Sequence, residues 1–134
     1  IYGVYDATNR FGAQSDQYVT LLMEPLVIKA FLDDEPDKFR DASPLDRVHA
    51  GAPPFLVIQG DRDTLAPVVE ARAFVERLND QSTSRVLYME FPGAQHIFDL
   101  FYSHQSAQMV EGVLAFLNDE YATSHQADTP EPKA

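Results

Sequence analysis

The sequence predicts an α/β fold, with parallel strands alternating with helices. Three observations carry that expectation. Short apolar runs of β type recur at residues 1–5, 55–59 and 85–91. The second, Phe55-Leu56-Val57-Ile58-Gln59, is apolar at consecutive positions rather than alternating, as a strand buried on both faces of a parallel sheet requires. The second and third runs each pass through a short polar loop into a stretch with helical periodicity, which is the pattern of βαβ units.

The elements follow in order. Ile1-Tyr2-Gly3-Val4-Tyr5 is apolar and β-prone from its first residue, so it reads as an interior strand and the chain is expected to be a piece of something longer. Residues 15–48 form a long insertion after that strand, longer than a simple crossover needs. Its apolar part, 15–32, predicts two short helices meeting at Pro25, and a further short helix is expected before Ser43-Pro44. The segment serves as a cap over a site or as a connector. Pro53-Pro54 opens the strand 55–59 and Gly60 ends it. Pro67 suits the start of a helix whose Ala71, Phe74, Val75 and Leu78 share one face. The strand 85–91 leads through Pro92 to His96 into a helix over 103–121, with Met109, Val110, Val113, Leu114 and Leu117 on one face. Residues 1–121 are thus expected to form the globular part, and 122–134, aperiodic and carrying Pro130 and Pro132, a disordered tail.

Composition narrows the chemistry. The chain has 134 residues, 45% of them apolar, which is enough for a core. It has no cysteine, so disulfides, thiolate metal sites and a Cys nucleophile are excluded, and the compartment stays open. A net charge of -11 argues against nucleic acid and anionic membrane surfaces as partners. The longest apolar candidate for a transmembrane segment, 21–32, is broken by Glu24, Pro25 and Lys29.

Ligands and catalytic groups of open parallel sheets gather at the carboxyl ends of the strands. Two such ends carry polar loops here: Gly60-Asp61-Arg62-Asp63-Thr64-Leu65-Ala66-Pro67, and Pro92-Gly93-Ala94-Gln95-His96-Ile97-Phe98-Asp99. An acid on one loop and a histidine on the next is the arrangement that orients an imidazole as a general base.

With Gly60 to Asp63 followed by Gly93-Ala94-Gln95-His96 some thirty residues on, the chain resembles the acid and histidine segments of α/β-hydrolases. The run Pro53 to Gly60, and Tyr2-Gly3-Val4-Tyr5-Asp6, are similar to the esterase and lipase branch related to hormone-sensitive lipase and small carboxylesterases. The resemblance covers residues 1–121 and makes the chain the C-terminal half of such a fold. It implies a serine esterase or lipase with Asp63 as triad acid and His96 as general base, a small-molecule ester as substrate, and no cofactor or metal. The nucleophile elbow, Gly-x-Ser-x-Gly, is missing: none of Ser15, Ser43, Ser82, Ser84, Ser103, Ser106 and Ser124 is flanked by glycines two residues to each side. The family's chain order of Ser, acid, His places the nucleophile and oxyanion loop upstream of Ile1, so the missing N-terminal half is the expected partner and the fragment alone is expected to be inactive.

Blander readings stand beside these. Asp63 has a lesser reading as a polar loop residue capping the helix that starts near Pro67, and Asp61 is its competitor as triad acid. His49, His104 and His125 read as loop, helix-surface and tail residues, and Asp99 as a solvated one. The segment 21–32, with Phe98, Leu100, Phe101 and Tyr102, lines a pocket or packs in the core. A haloacid-dehalogenase-like phosphatase, in which an apolar strand ends in Asp-x-Asp and Mg²⁺ holds the phosphate, fits 55–63 superficially, but Thr64 follows Asp63 immediately where that family expects Thr or Val two residues on. A third reading is a non-catalytic half-domain that associates, with itself or with another chain, through an open sheet edge.

Overall fold

Residues 1–127 are described in a computed structural model of the chain. The apolar run before Gly60 forms β1 (Phe55–Gly60), and Val57, Ile58 and Gln59 are buried in succession. A helix, α3 (Val68–Gln81), follows Pro67, and then β2 (Val86–Phe91) lies parallel to β1, in register from Phe55 opposite Val86 to Gly60 opposite Phe91. This is the expected βαβ unit. Helix α3 turns Ala71, Phe74 and Leu78 inward, where Phe74 stacks on Tyr5 at 4.7 Å between ring centroids and meets Phe55 edge-on at 5.5 Å. Val57, Leu45 and Ala52 complete that core.

Among the described residues the sheet has two strands, and residues 1–5 are not a third. The reason is local. Tyr2 sits at φ 35, outside extended geometry, and its N–H donates to the Ile58 carbonyl at 2.7 Å without a ladder forming. The N–H groups of Tyr5 and Asp6 are taken instead by the Glu70 carboxylate.

The insertion is helical, though not as two helices meeting at Pro25. A single turn, α1 (Asp16–Tyr18), capped by the Ser15 hydroxyl, continues directly into a π-helical stretch, Val19–Ile28, that contains Pro25. Its hydrogen bonds reach five residues back, and the wider coil tolerates the proline ring that would break an α-helix. Lys29, at φ 58, closes it, with the N–H groups of Lys29 and Ala30 both on the Glu24 carbonyl. Helix α2 (Pro36–Ala42) and a 3₁₀ turn, Pro44–Arg47, follow. Met23, Ala30, Phe39 and Ala7 form a second core, while Leu21, Leu22, Leu26, Val27 and Phe31 are exposed.

The chain divides into two compact units, Ile1–Phe98 and Asp99–Ala134. The second is built on α4 (His104–Ala127). Ser103 and Ser106 start it reciprocally: each hydroxyl accepts the other's backbone N–H, at 3.0 and 2.7 Å. Along the apolar stripe of α4 Met109 is buried, whereas Val110, Leu114 and Leu117 are exposed. The helix runs past residue 121 into the stretch expected to be a disordered tail, and His125 lies on it; the remainder of that expectation, 128–134, lies outside the described residues.

Candidate active site

Because β1 and β2 are parallel and end level with each other, the loops that leave them begin side by side. Backbone hydrogen bonds hold the two loops together, from Asp61 N–H to the Phe91 carbonyl at 3.2 Å and from Arg62 N–H to the Ala94 carbonyl at 3.0 Å. Gly60 lets them come so close: a Cβ there would sit 2.4 Å from the Ala94 carbonyl oxygen, so only glycine fits without moving the backbone.

Asp63 is fixed by its own loop. Its Oδ1 accepts the N–H groups of Leu65 at 2.9 Å and Ala66 at 2.8 Å, an Asx-type turn in which an Asp side chain bonds the backbone just after it. Its Oδ2 accepts Gln59 Nε2 at 2.9 Å. The same oxygen faces His96 Nδ1 at 2.8 Å. The Asp63 side chain is fully buried, while that of His96 is 27% exposed, so the carboxylate is shielded and part of the imidazole is open to solvent. A carboxylate accepts only, so Nδ1–H is the donor in this contact, and in the neutral ring that tautomer puts the lone pair on Nε2.

His96 is held from its other sides by the turn and by rings. Gly93, at φ 75, reverses the chain after β2, and its N–H is held by Asp61 Oδ1 at 2.6 Å. Asp61 is therefore engaged with the turn that carries His96, and Asp63 with the imidazole. The Tyr2 ring packs 4.8 Å from that of His96. Ile97, at φ 52, is an unusual conformation for a β-branched residue; it turns Phe98 back, and the Phe98 ring packs on Phe91 at 5.1 Å. Of the residues weighed as pocket lining, Leu100, Phe101 and Tyr102 are exposed.

Two buried polar residues near the site escaped the sequence reading. Gln59 is fully buried, and its Nε2 also donates to the Ala66 carbonyl at 2.7 Å. A polar side chain closing an otherwise apolar five-residue run was the available signal. Glu70 is the other. Its carboxylate accepts from Tyr5 N–H at 3.3 Å, Asp6 N–H at 3.2 Å and Gln14 Nε2 at 2.7 Å. Burial raises its pKa, and those three hydrogen bonds pull it part of the way back. Glu70 shares the i, i+4, i+8 stripe of Phe74 and Leu78, where a charge is out of place on a core-facing helix, and that was its signal. Next to it Asp6, also fully buried, accepts from Thr8 and Arg10, and Arg10 bridges to Asp46. No group of three or more His, Asp or Glu side chains able to hold a metal occurs among the described residues.

The parallel βαβ unit with its two functional loops is the pattern of an α/β-hydrolase fold, and comparison with known proteins agrees on the fold. The chain belongs to the prolyl oligopeptidase family, whose model matches residues 2–123. It is 44% identical over 126 residues to the esterase LipC of Mycobacterium tuberculosis (strain ATCC 25618 / H37Rv), covering 94% of this chain and 31% of that protein. To the probable carboxylic ester hydrolase LipM of the same strain it is 40% identical over 131 residues, covering 98% of this chain and 30% of the relative. The chain thus spans about a third of the length of these curated relatives. Among solved structures, a puromycin hydrolase superimposes with TM-score 0.60 at 27% identity, over 71% of this chain and 14% of that one. The propionate-bound esterase Est2 of Thermogutta terrifontis gives TM-score 0.57 at 21% identity, over 98% of this chain and 42% of that one, and shows the shared fold. The chain is a part of an α/β-hydrolase fold.

Proposed function

We propose that the complete protein hydrolyses carboxylic esters through an acyl-enzyme, with Asp63 and His96 as the acid and base of a Ser-His-Asp triad and residues 1–121 as the C-terminal part of the catalytic domain. The observation that carries this reading is the 2.8 Å contact between buried Asp63 Oδ2 and half-exposed His96 Nδ1 at adjacent strand ends. An upstream serine attacks the ester carbonyl as its proton passes to His96 Nε2. Asp63 holds the ring by Nδ1–H and stabilises the imidazolium that results. The proton then goes to the departing alcohol, leaving the acyl group on serine. Water repeats the sequence in reverse roles and frees the carboxylic acid. The names of LipC and LipM as esterase and probable carboxylic ester hydrolase support the substrate class.

The phosphatase reading loses ground on the same geometry. Asp61 is turned to Gly93 N–H and Asp63 is enclosed by donors, so the two carboxylates do not share one cation. The association reading keeps one support, the apolar side chains left exposed in the segment 19–31 and on α4. The isolated 134 residues, without an elbow serine, are expected to be inactive on an aryl ester and to regain activity when mixed with an N-terminal portion that bears the serine. Hydrolysis by the fragment alone, abolished by changing one of its own serines, would show the nucleophile to lie elsewhere.

A further inference from the structure

We propose that Gln59 is a positioning residue that sets the orientation of the triad acid; the inference rests on the Ser-His-Asp reading given above. Asp63 Oδ2 has two neighbours, His96 Nδ1 at 2.8 Å and Gln59 Nε2 at 2.9 Å, so one oxygen is shared between the base and the amide. The second hydrogen of the same Nε2 goes to the Ala66 carbonyl at 2.7 Å. Ala66 in turn gives its own N–H to Asp63 Oδ1 at 2.8 Å. The Asp63 carboxylate, the Gln59 amide and the Ala66 backbone close a ring of hydrogen bonds, with His96 joined to it from outside at Oδ2.

The backbone donors on Oδ1 fix where the carboxylate sits but leave it free to rock about that oxygen. Gln59, on the strand itself and fully buried, removes that freedom by anchoring Oδ2 where His96 Nδ1 meets it. A neutral amide is suited to this: a cation there would compete with His96 for the carboxylate, and a second carboxylate would repel it.

The test uses the complete enzyme and an aryl ester. Gln59→Met removes both donors at similar volume; Gln59→Glu keeps the shape and replaces the donor by an acceptor; Gln59→His keeps one ring N–H at similar reach. Met and Glu should each lower kcat about tenfold to hundredfold with KM nearly unchanged, and should shift or broaden the downfield proton resonance of His96 Nδ1–H. His should restore most of kcat and the resonance. Folded Met or Glu variants with unchanged kcat and resonance would overturn the proposal, as would a Gln59→His variant no better than Met. If neither Met nor Glu folds, the unsubstituted protein decides: the Gln59 side-chain amide protons should exchange slowly and should move when Asp63 is changed to Asn, and fast exchange with no response would refute the contact. Failure of the triad reading is separate, since it would show as full activity in His96→Ala whatever Gln59 does.

Discussion

Asp63 and Glu70 are both buried carboxylates, seven positions apart in the chain, yet they are held in opposite ways. The protein donors to Asp63 other than His96 come from its own loop and strand, two, three and four residues away. The donors to Glu70 come from 56, 64 and 65 residues away. Asp63 is therefore oriented as soon as β1 and its loop form, and the fold need only deliver His96 to it. Glu70 is a staple: without the tertiary fold it has no partners, and in the fold it ties α3 to the segment after residue 5. The donors to Asp63 are local and those to Glu70 are remote, so the first carboxylate is positioned by its own loop and the second holds distant segments together.

Four variants sharpen that difference. His96→Ala should have the largest effect, a loss in kcat of about 10⁴-fold or more at nearly unchanged melting temperature, because the ring lies on a loop and serves chemistry more than the core. Glu70→Ala should do the reverse, costing about 3 kcal/mol in denaturant unfolding by leaving the Tyr5 and Asp6 N–H groups without their carboxylate acceptor and taking one of the two acceptors from the Gln14 amide, while kcat per folded molecule stays close to wild type. That cost has a pH dependence of known sign. Burial raises the Glu70 pKa above its ordinary 4.5, so the folded protein binds this proton more tightly than the unfolded chain. The Glu70 contribution is full below the unfolded value and falls as pH rises through the raised folded value, so the stability gap between wild type and Glu70→Ala should narrow from acid to neutral pH. Gly60→Ala should cost about 2 kcal/mol and also lower kcat, since the new methyl displaces the Ala94 carbonyl on the loop that carries His96. Arg72→Ala should be smallest: the pair it forms with Glu90 is exposed, and its removal should change stability by less than about 1 kcal/mol in the same unfolding assay.

What was legible in the sequence follows the same division. The runs around Phe55 to Gln59 and Val86 to Phe91 carry consecutive apolar residues, and the stretch after Pro67 carries a helical stripe, so the two strands and α3 were expected from local pattern, whereas Asp63 as the partner of His96 was what the family resemblance implied. Residues 1–5 have the same β-prone composition but do not form a strand, because Glu70 takes the N–H groups of Tyr5 and Asp6 and Tyr2 leaves extended geometry. Nothing near residue 5 announces a carboxylate 65 positions on. Pro25 likewise reads as a helix break, and the π-type widening of its coil, which leaves room for the proline, keeps the helix continuous. The choice between Asp61 and Asp63 also lay beyond local pattern: it turns on which oxygen faces His96 and which faces Gly93 N–H.

That choice gives the most direct test of the account. Asp63→Asn and Asp61→Asn should be made side by side in the complete enzyme, and kcat/KM for an aryl ester measured for each. Asp63→Asn should lose about 10⁴-fold, because an amide at that position favours the wrong imidazole tautomer, with little change in fold. Asp61→Asn should lose less than about tenfold, because it weakens one exposed hydrogen bond to Gly93. A large loss in Asp61→Asn alongside a near-normal Asp63→Asn would contradict the assignment of Asp63 as the acid that holds His96.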